Sequence, residues 1–492
     1  MIPMVERTEA VMERRLGLLS ATMIGIGGTI GAGVFVLIGK AAGMAGPGVV
    51  FSFIIGALLT LFTAINYSEL SAAVPVSGGG YTFTHYAIGK FPSFLTGWFM
   101  WCGNMFYCAL CAVGFSQALR YFIPSLDVTL PALAVVAVFT AINVKGSKET
   151  GGVQNVLTVV LIAILTLFIV GGFLHGFQPS NLVPWTPKGV LPVFTTVGYI
   201  YVCYIGFEVI STCSEEIKDP GKNLPRSIMI SFFFSALLFT FVSLVSVGVV
   251  PWDELGHSET PLSLVAEKTL GPMGGLLLSV AAILATLTSI NASMISSARI
   301  AYALARDGYM PGALTRIHER FGTPYVSVLF SSVLIALFTT TGVVDLLNYV
   351  SDFGFIIGLA LINYSVVWLR NRHPEIERPF KVPLYPYVPI LGAISSLVVL
   401  PSLHPEAIGI GLLWSILGLL VYYITMLGPT RLRIAFGGIN IGLGVLSLIL
   451  FLLIMEEVVS LPVAPDLYNL TMIALLIFGV LQIVAGIFNI KD

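Results

Sequence analysis

The residues best suited to chemistry in this sequence offer backbone rather than side chain. The run Gly25-Ile26-Gly27-Gly28-Thr29-Ile30-Gly31-Ala32-Gly33 lies in the middle of the first long apolar stretch. Each glycine loosens a helix by up to about 1 kcal/mol relative to alanine, and in a bilayer a freed N–H or C=O has no water to turn to. Such a run is sustained at membrane depth where bare backbone faces a protein-lined cavity. Amides at the N-terminus of a half-helix bind carboxylates, so the segment reads as a broken helix that holds a small anion. Close helix packing through Gly27 and Gly31, spaced as in Gly-x-x-x-Gly contacts, is the alternative. Packing alone requires neither Thr29 among the glycines nor an acid in a second break.

That second break is Tyr201-Val202-Cys203-Tyr204-Ile205-Gly206-Phe207-Glu208, with Ser211 and Thr212 beyond. A glycine beside an ionisable residue at mid-span again suggests interrupted helix around a polar cavity. An ionised Glu208 facing lipid is costly. It is expected either to act as a gating or proton-carrying group, or to hydrogen-bond the unwound backbone. Asp352 reads as a solvated acid at a helix end or as a site residue, and Glu69 as a loop anchor. The five cysteines (Cys102, Cys108, Cys111, Cys203 and Cys213) fall in or beside apolar stretches. Cys108 and Cys111 have the C-x-x-C spacing without a second ligand pair, which reads as buried thiols rather than a metal or redox site.

The elements that must position these residues follow from composition. The 492 residues are 57% hydrophobic and 10% charged, with a mean hydropathy of +0.95, against roughly 25% charged in soluble domains. The fold class expected is an all-α integral membrane protein. Apolar stretches of about 20 residues fall near 16–39, 46–74, 92–122, 127–144, 152–175, 190–214, 227–250, 274–303, 324–342, 344–369, 386–403, 406–427, 433–455 and 467–489. These are about 14 transmembrane helices. Glu6 to Arg15 is a mixed-charge segment rather than the basic start of a signal peptide.

With a cytoplasmic N-terminus, Arg7, Arg14, Arg15, Lys145, Lys148, Arg370, Lys491 and most other basic residues fall inside. Of the 24 Lys and Arg residues only Lys40, Arg120, Lys188 and Lys268 are left outside. The positive-inside rule therefore places both termini in the cytoplasm, and the expected location is the plasma membrane. The breaks lie in the first and sixth spans. If spans one to five and six to ten are inverted repeats, those positions are equivalent and the site lies between them near the midplane. The expected division is 1–15 as a cytoplasmic segment, 16–175 as the first repeat, 190–369 as the second, and 386–489 as additional helices.

These residues resemble the amino acid–polyamine–organocation superfamily, specifically its cationic amino acid transporter-like permeases. The resemblance is carried by Gly28-Thr29-Ile30-Gly31-Ala32-Gly33-Val34-Phe35, Tyr67-Ser68-Glu69-Leu70 and Pro75-Val76-Ser77-Gly78-Gly79-Gly80-Tyr81. It continues in Tyr204-Ile205-Gly206-Phe207-Glu208 through Glu215-Glu216, Asp219-Pro220 and Leu224-Pro225-Arg226-Ser227-Ile228. Arg299 to Gly308 with Pro311 follows the eighth span, and Leu369-Arg370, Pro374-Glu375 and Arg378 to Pro383 follow the tenth. The resemblance implies a five-plus-five inverted-repeat core, four additional helices, and alternating-access transport of amino acids.

It also implies a substrate site. The carboxylate falls to the first-span amides of Ile30, Gly31, Ala32 and Gly33 beside Thr29, and the ammonium to the sixth-span carbonyls of Cys203, Tyr204 and Ile205. Asn104, Phe207, as an aromatic cover, and Ser293 are candidates for the rest of the pocket, with Glu208 beside the break. No cofactor is expected; the expected partners are an amino acid, the lipid bilayer and a Na+ or H+ coupling ion, and nucleic acid is not among them.

One departure concerns the driving ion. Several prokaryotic relatives carry a lysine midway along the fifth span. Laying Val153-Gln154-Asn155-Val156-Leu157 on that helix puts Leu161 at the lysine position, and 152–175 holds no Lys or Arg. Thr288 and Ser289 in the eighth span resemble hydroxyl ligands of a sodium site, which carbonyls of Gly27, Ile30 and Ala285 would complete. Hydroxyls in membrane helices also bond to carbonyls of their own helix, so both readings stand.

Other classes fit less well. There is no repeated filter-like or charged-ring segment for a channel. The six histidines form no H-x-x-x-H pair for a membrane enzyme, and no phosphate loop serves primary transport. The expected function is secondary active transport, with an uncoupled exchanger or a non-transporting sensor of the same fold as alternatives. A sensor is expected to carry a signalling extension.

Overall fold

The computed structural model describes residues 14–76, 78–146, 150–455, 472 and 475–484. Arg7, Lys148, Lys491 and most of the 1–15 segment lie outside the described residues, as does much of the span expected at 467–489. The chain forms two compact units, Met1–Gly418 and Leu419–Asp492. The regular elements among the described residues are all helices.

The glycine-rich opening stretch folds as α1 (Leu18–Thr29) and α2 (Ala32–Ala45), interrupted at Ile30 and Gly31. Next come α3 (Val49–Ala73), α4 (Gly79–Ala87), α5 (Lys90–Arg120), α6 (Thr129–Lys145) and α7 (Thr150–His175). The sixth span is α8 (Leu191–Ile200), a 3-10 turn at Tyr201–Tyr204, and the short α9 (Val209–Thr212). Then follow α10 (Pro220–Val249), α11 (Trp252–Gly256), α12 (Pro261–Leu270), α13 (Pro272–Arg306), α14 (Tyr325–Thr339), α15 (Val344–Arg372), α16 (Tyr387–Val398) and α17 (Pro405–Met455). Several begin on proline, whose missing N–H costs nothing in a first turn.

Eight stretches of the described residues are long and apolar enough to cross a membrane, and five shorter apolar helices accompany them. Leu18–Ala73, counted once among the eight, contains the first two expected spans, and each of the other twelve overlaps one of these stretches or shorter helices. One connection differs. The chain is helical from Pro405 to Met455, so the link expected between 406–427 and 433–455 is not a loop. Arg431, Leu432 and Arg433 are good helix formers and do not interrupt it.

Burial runs opposite to that of a soluble protein. Leu130, Leu174, Val333 and Leu337 are exposed, whereas Ser68, Glu69, Ser227, Ser231, Asn363 and Asp352 are buried. Lipid supplies no drive to bury leucine, and polar side chains do the joining between helices. Asn66 Nδ2 donates to Asn363 Oδ1 at 2.8 Å, and Asn363 Nδ2 donates to Thr63 Oγ1 at 2.9 Å, tying α3 to α15.

Glu69 is the anchor expected. It accepts from Arg370 Nε and Nη2 at 2.8 and 2.5 Å and from the Val382 N–H at 2.6 Å, with Arg378 Nε 3.7 Å away. The four basic residues expected outside are each engaged: Lys40 with Asp345, Arg120 with Glu259, Lys268 with Glu254, and Lys188 with the Gly43 carbonyl.

Candidate functional site

The first break occupies two residues, not the whole glycine run. Ile30 leaves the helix at φ −78°, ψ 72°, and Gly31 is extended at φ −105°, ψ −157° before α2 begins. The Ile30 N–H still closes α1 on the Ile26 carbonyl at 2.7 Å, and the Gly31 N–H donates to the Thr29 carbonyl at 2.9 Å. Of the four amides expected to bind an anion, those two are occupied. Ala32 and Gly33, in the first turn of α2, have no carbonyl behind them in their own helix. The Cys111 thiol lies against the Ala32 amide, and sulfur is a weak acceptor that a carboxylate oxygen outcompetes.

Space explains the glycines better than backbone angle does. A Cβ on Gly31 would collide with Ser289 Oγ and with Tyr107 OH. Both hydroxyls are buried and make no hydrogen bond of good geometry; they lie against each other and the Cys111 thiol, a weak partner. A buried hydroxyl left unpaired costs about 1–3 kcal/mol, so two of them converging on one glycine at the start of a helix mark a place for an acceptor. Elsewhere in the run, Gly25 fits against Ile210 and Ser231, and Gly33 against Cys203, with a Cβ there only 2.9 Å from Sγ. Thr29 Oγ1 bonds back to the Gly25 carbonyl at 2.8 Å.

The second break packs directly on the first. Ile205 is extended (φ −82°, ψ 140°), and Gly206 takes φ +139°, which glycine alone adopts readily. The Gly206 N–H, which would otherwise close the next turn on the Cys203 carbonyl, goes to Glu208 Oε2 at 2.5 Å. Glu208 therefore makes the hydrogen bond to unwound backbone that was one of its two expected roles. It also lines a cleft with Tyr67, Gly79, Ser211 and Arg299. Tyr204 turns its side chain away and donates to the Phe53 carbonyl at 2.5 Å, so only its backbone belongs to the break.

The remaining candidates separate. Asn104 and Ser293 lie on α5 and α13, the helices that carry Tyr107 and Ser289; residues at i and i+4 share a face, as Ser289 and Ser293 do. Asn104 Nδ2 donates to the Met100 carbonyl at 2.8 Å. Phe207 is not brought to that side. Its ring meets Tyr67 and Phe232 edge-on at 5.9 and 6.0 Å, toward α3 and α10.

Thr288 Oγ1 donates to the Ala285 carbonyl at 2.9 Å, the local bond that competes with a sodium role, while Ser289 turns to Gly31 instead. Leu161 is fully buried at the position considered for a lysine. Cys108 Sγ contacts the Ile290 carbonyl at 3.6 Å, and the cysteines are free.

Two residues were missed or misread from the sequence. Tyr107 was not singled out, because a tyrosine in an apolar helix has no sequence signature; only its poorly paired hydroxyl marks it. The reading of Asp352 as a solvated helix-end acid is overturned. α15 begins at Val344, more than two turns earlier, and Asp352 is 0% exposed.

The chain is also similar to known proteins. A family model described as amino acid permease matches residues 16–425. A branched-chain amino acid permease of Bacillus subtilis (strain 168) is 31% identical over 436 residues, covering 85% of this chain and 94% of that protein. A methylthioribose transporter of the same organism is 30% identical over 434 residues, covering 84% and 93%. A branched-chain amino acid permease of Lactococcus lactis subsp. cremoris is 26% identical over 431 residues, covering 81% and 92%.

Proposed function

The chain belongs to the amino acid permease family and is a multi-pass membrane transporter rather than an enzyme, and from that premise we propose that it carries a zwitterionic amino acid by alternating access between its two broken helices. The observation that carries this reading is the meeting of Tyr107 OH and Ser289 Oγ, neither in a well-formed hydrogen bond, at Gly31. In the proposed complex the substrate carboxylate accepts from these hydroxyls and from the Ala32 and Gly33 amides, where the dipole of α2 favours negative charge. The ammonium donates to the carbonyls of Cys203, Tyr204 and Ile205. Gly33 against Cys203 is the contact that sets the two halves side by side.

Binding both charged ends with backbone and hydroxyls leaves specificity to the pocket around the substrate side chain. Two of the relatives are named for branched-chain amino acids, so leucine, isoleucine and valine are the substrates proposed first. The repeats proposed are 16–175 and 190–369, with 386–489 outside the core. The asymmetry of basic residues supports cytoplasmic termini in a plasma membrane.

The test is uptake of a panel of radiolabelled amino acids by purified protein in liposomes, under sodium, proton or counter-substrate gradients. Uptake of leucine, isoleucine or valine above protein-free liposomes is expected. Absence of uptake and exchange for every amino acid under every gradient would overturn the reading.

A further inference from the structure

Asp352 takes no part in the site described above, and nothing in that site explains its placement. It sits inside α15 with 0% exposure, and neither carboxylate oxygen has a hydrogen-bond partner. The backbone donor turned toward it, outside good hydrogen-bond geometry, is the Val202 N–H of the unwound sixth-span segment. The titratable side chains that face it are Tyr201 and Cys203 from that segment and Tyr349 from its own helix. From α3, α4, α5, α8 and α16, also packed on α15, no described lysine, arginine, histidine or acid acts on it. An ionised carboxylate in such a place bears the full cost of burial with nothing to offset it.

One turn earlier on the same face, Asn348 Nδ2 donates to the Tyr199 carbonyl at 2.7 Å, while Asn348 Oδ1 is orphaned. An acceptor without a donor and an acid without a partner, four residues apart, are both satisfied if the acid carries a hydrogen. A metal ion fits worse. A hard cation surrounds itself with several oxygens, and the N–H of Val202 would point its hydrogen at the ion.

Resting on the transporter reading, we propose that Asp352 is the proton-carrying carboxylate of the transport cycle. An O–H bond forms on Oδ1 or Oδ2 when the site opens to the proton-rich side. It breaks when movement of Tyr201–Ile205 exposes the group to the other side. One proton then crosses with each amino acid, and no other group changes its bonding.

The experiment uses the full chain in liposomes with radiolabelled leucine at zero membrane potential. Under an inward proton gradient the wild type is expected to accumulate leucine up to about tenfold per pH unit, with a protonophore abolishing the accumulation and a sodium gradient having no effect. Asp352→Asn is expected to lose accumulation, its final inside-to-outside ratio falling to about one, while leucine exchange continues and becomes independent of pH. Asp352→Glu, which keeps the carboxyl group, is expected to retain proton-driven accumulation. Accumulation by Asp352→Asn at the wild-type level overturns the proposal, as does wild-type accumulation indifferent to pH. So does an Asp352→Glu protein that exchanges leucine but no longer accumulates it. If another amino acid of the panel is the one exchanged, it takes the place of leucine in each arm; absence of exchange for every one instead contradicts the transporter reading.

Discussion

The backbones of Gly28 and Gly206 lie against each other, so closely that a Cβ on Gly28 would stand 2.9 Å from the Gly206 carbonyl oxygen. This contact joins the first span, just before its break, to the break of the sixth. A second tie lies at the chain ends of the same two spans: Leu16 N–H donates to the Glu216 carbonyl and Lys218 N–H to the Leu16 carbonyl, each at 2.9 Å. Backbone meets backbone at both places, and the Ile210 and Cys203 side chains add to the joint where they fit against Gly25 and Gly33.

Gly206 is the position least tolerant of a side chain. Its φ of +139° costs a non-glycine residue about 1–3 kcal/mol, and an added methyl group would also strike the Gly28 carbonyl group. Gly206→Ala is expected to lower the thermal unfolding midpoint of the purified protein and to abolish transport. Gly409→Ala is the control. Nothing lies within 4 Å of a Cβ there, and alanine favours the helix by up to about 1 kcal/mol.

Tyr107→Phe and Ser289→Ala each remove a hydroxyl that the protein itself leaves without a well-formed hydrogen bond. A hydrogen bond to a charged group contributes about 1.5–3 kcal/mol, so each change is expected to weaken leucine binding by roughly 10- to 150-fold. The unfolding midpoint should stay level or rise, because a poorly paired buried hydroxyl is lost. Parallel binding and unfolding measurements separate this from a structural role, which would lower the midpoint instead.

The positions of the breaks were legible in the sequence because glycine and acid at mid-span violate what a membrane helix needs. The division of labour within the glycine run was not. Gly25, Gly28 and Gly33 serve packing, and Gly31 clears space for two hydroxyls; only the partners across the interface, absent from a linear pattern, tell them apart. Tyr107 was silent for the same reason. Asp352 misled although the start of α15 was legible, because its burial comes from the helices packed around α15, which a linear pattern does not show. Glu69 was readable as an anchor, but its dependence on Arg370, some 300 positions away, was not.

Glu69 is fully buried between Arg370, Arg378 and the Val382 amide. Removing one partner of a buried ion pair typically costs about 3–5 kcal/mol. Glu69→Ala is expected to destabilise the protein by that amount in denaturant unfolding and to reduce folded yield. Leucine affinity of the folded fraction should be unchanged, since none of these groups reaches the breaks.

At the far end of α2, Lys40 pairs with Asp345, which also accepts from Tyr199 OH at 3.1 Å. This clamp links α2, α8 and α15. The pair is partly exposed, at 50% and 36% for the two side chains, so it contributes about 0.2–1 kcal/mol. Asp345→Asn is expected to speed labelling of Cys203, which is 1% exposed, by up to about fivefold with a membrane-impermeant thiol reagent. An unchanged labelling rate would show that the clamp does not restrain opening at this end.

The central claim is that both charged ends of the substrate are read, the carboxylate at Gly31–Gly33 and the ammonium at Cys203–Ile205. Competition against radiolabelled leucine exchange in liposomes tests it most directly. Unlabelled leucine, isoleucine or valine is expected to suppress the exchange. Leucine methyl ester, which lacks the carboxylate, and 4-methylpentanoate, which lacks the ammonium, are expected to leave it unaffected at concentrations tenfold above the half-inhibitory value for leucine. Competition by either compound as strong as that by leucine would contradict the account.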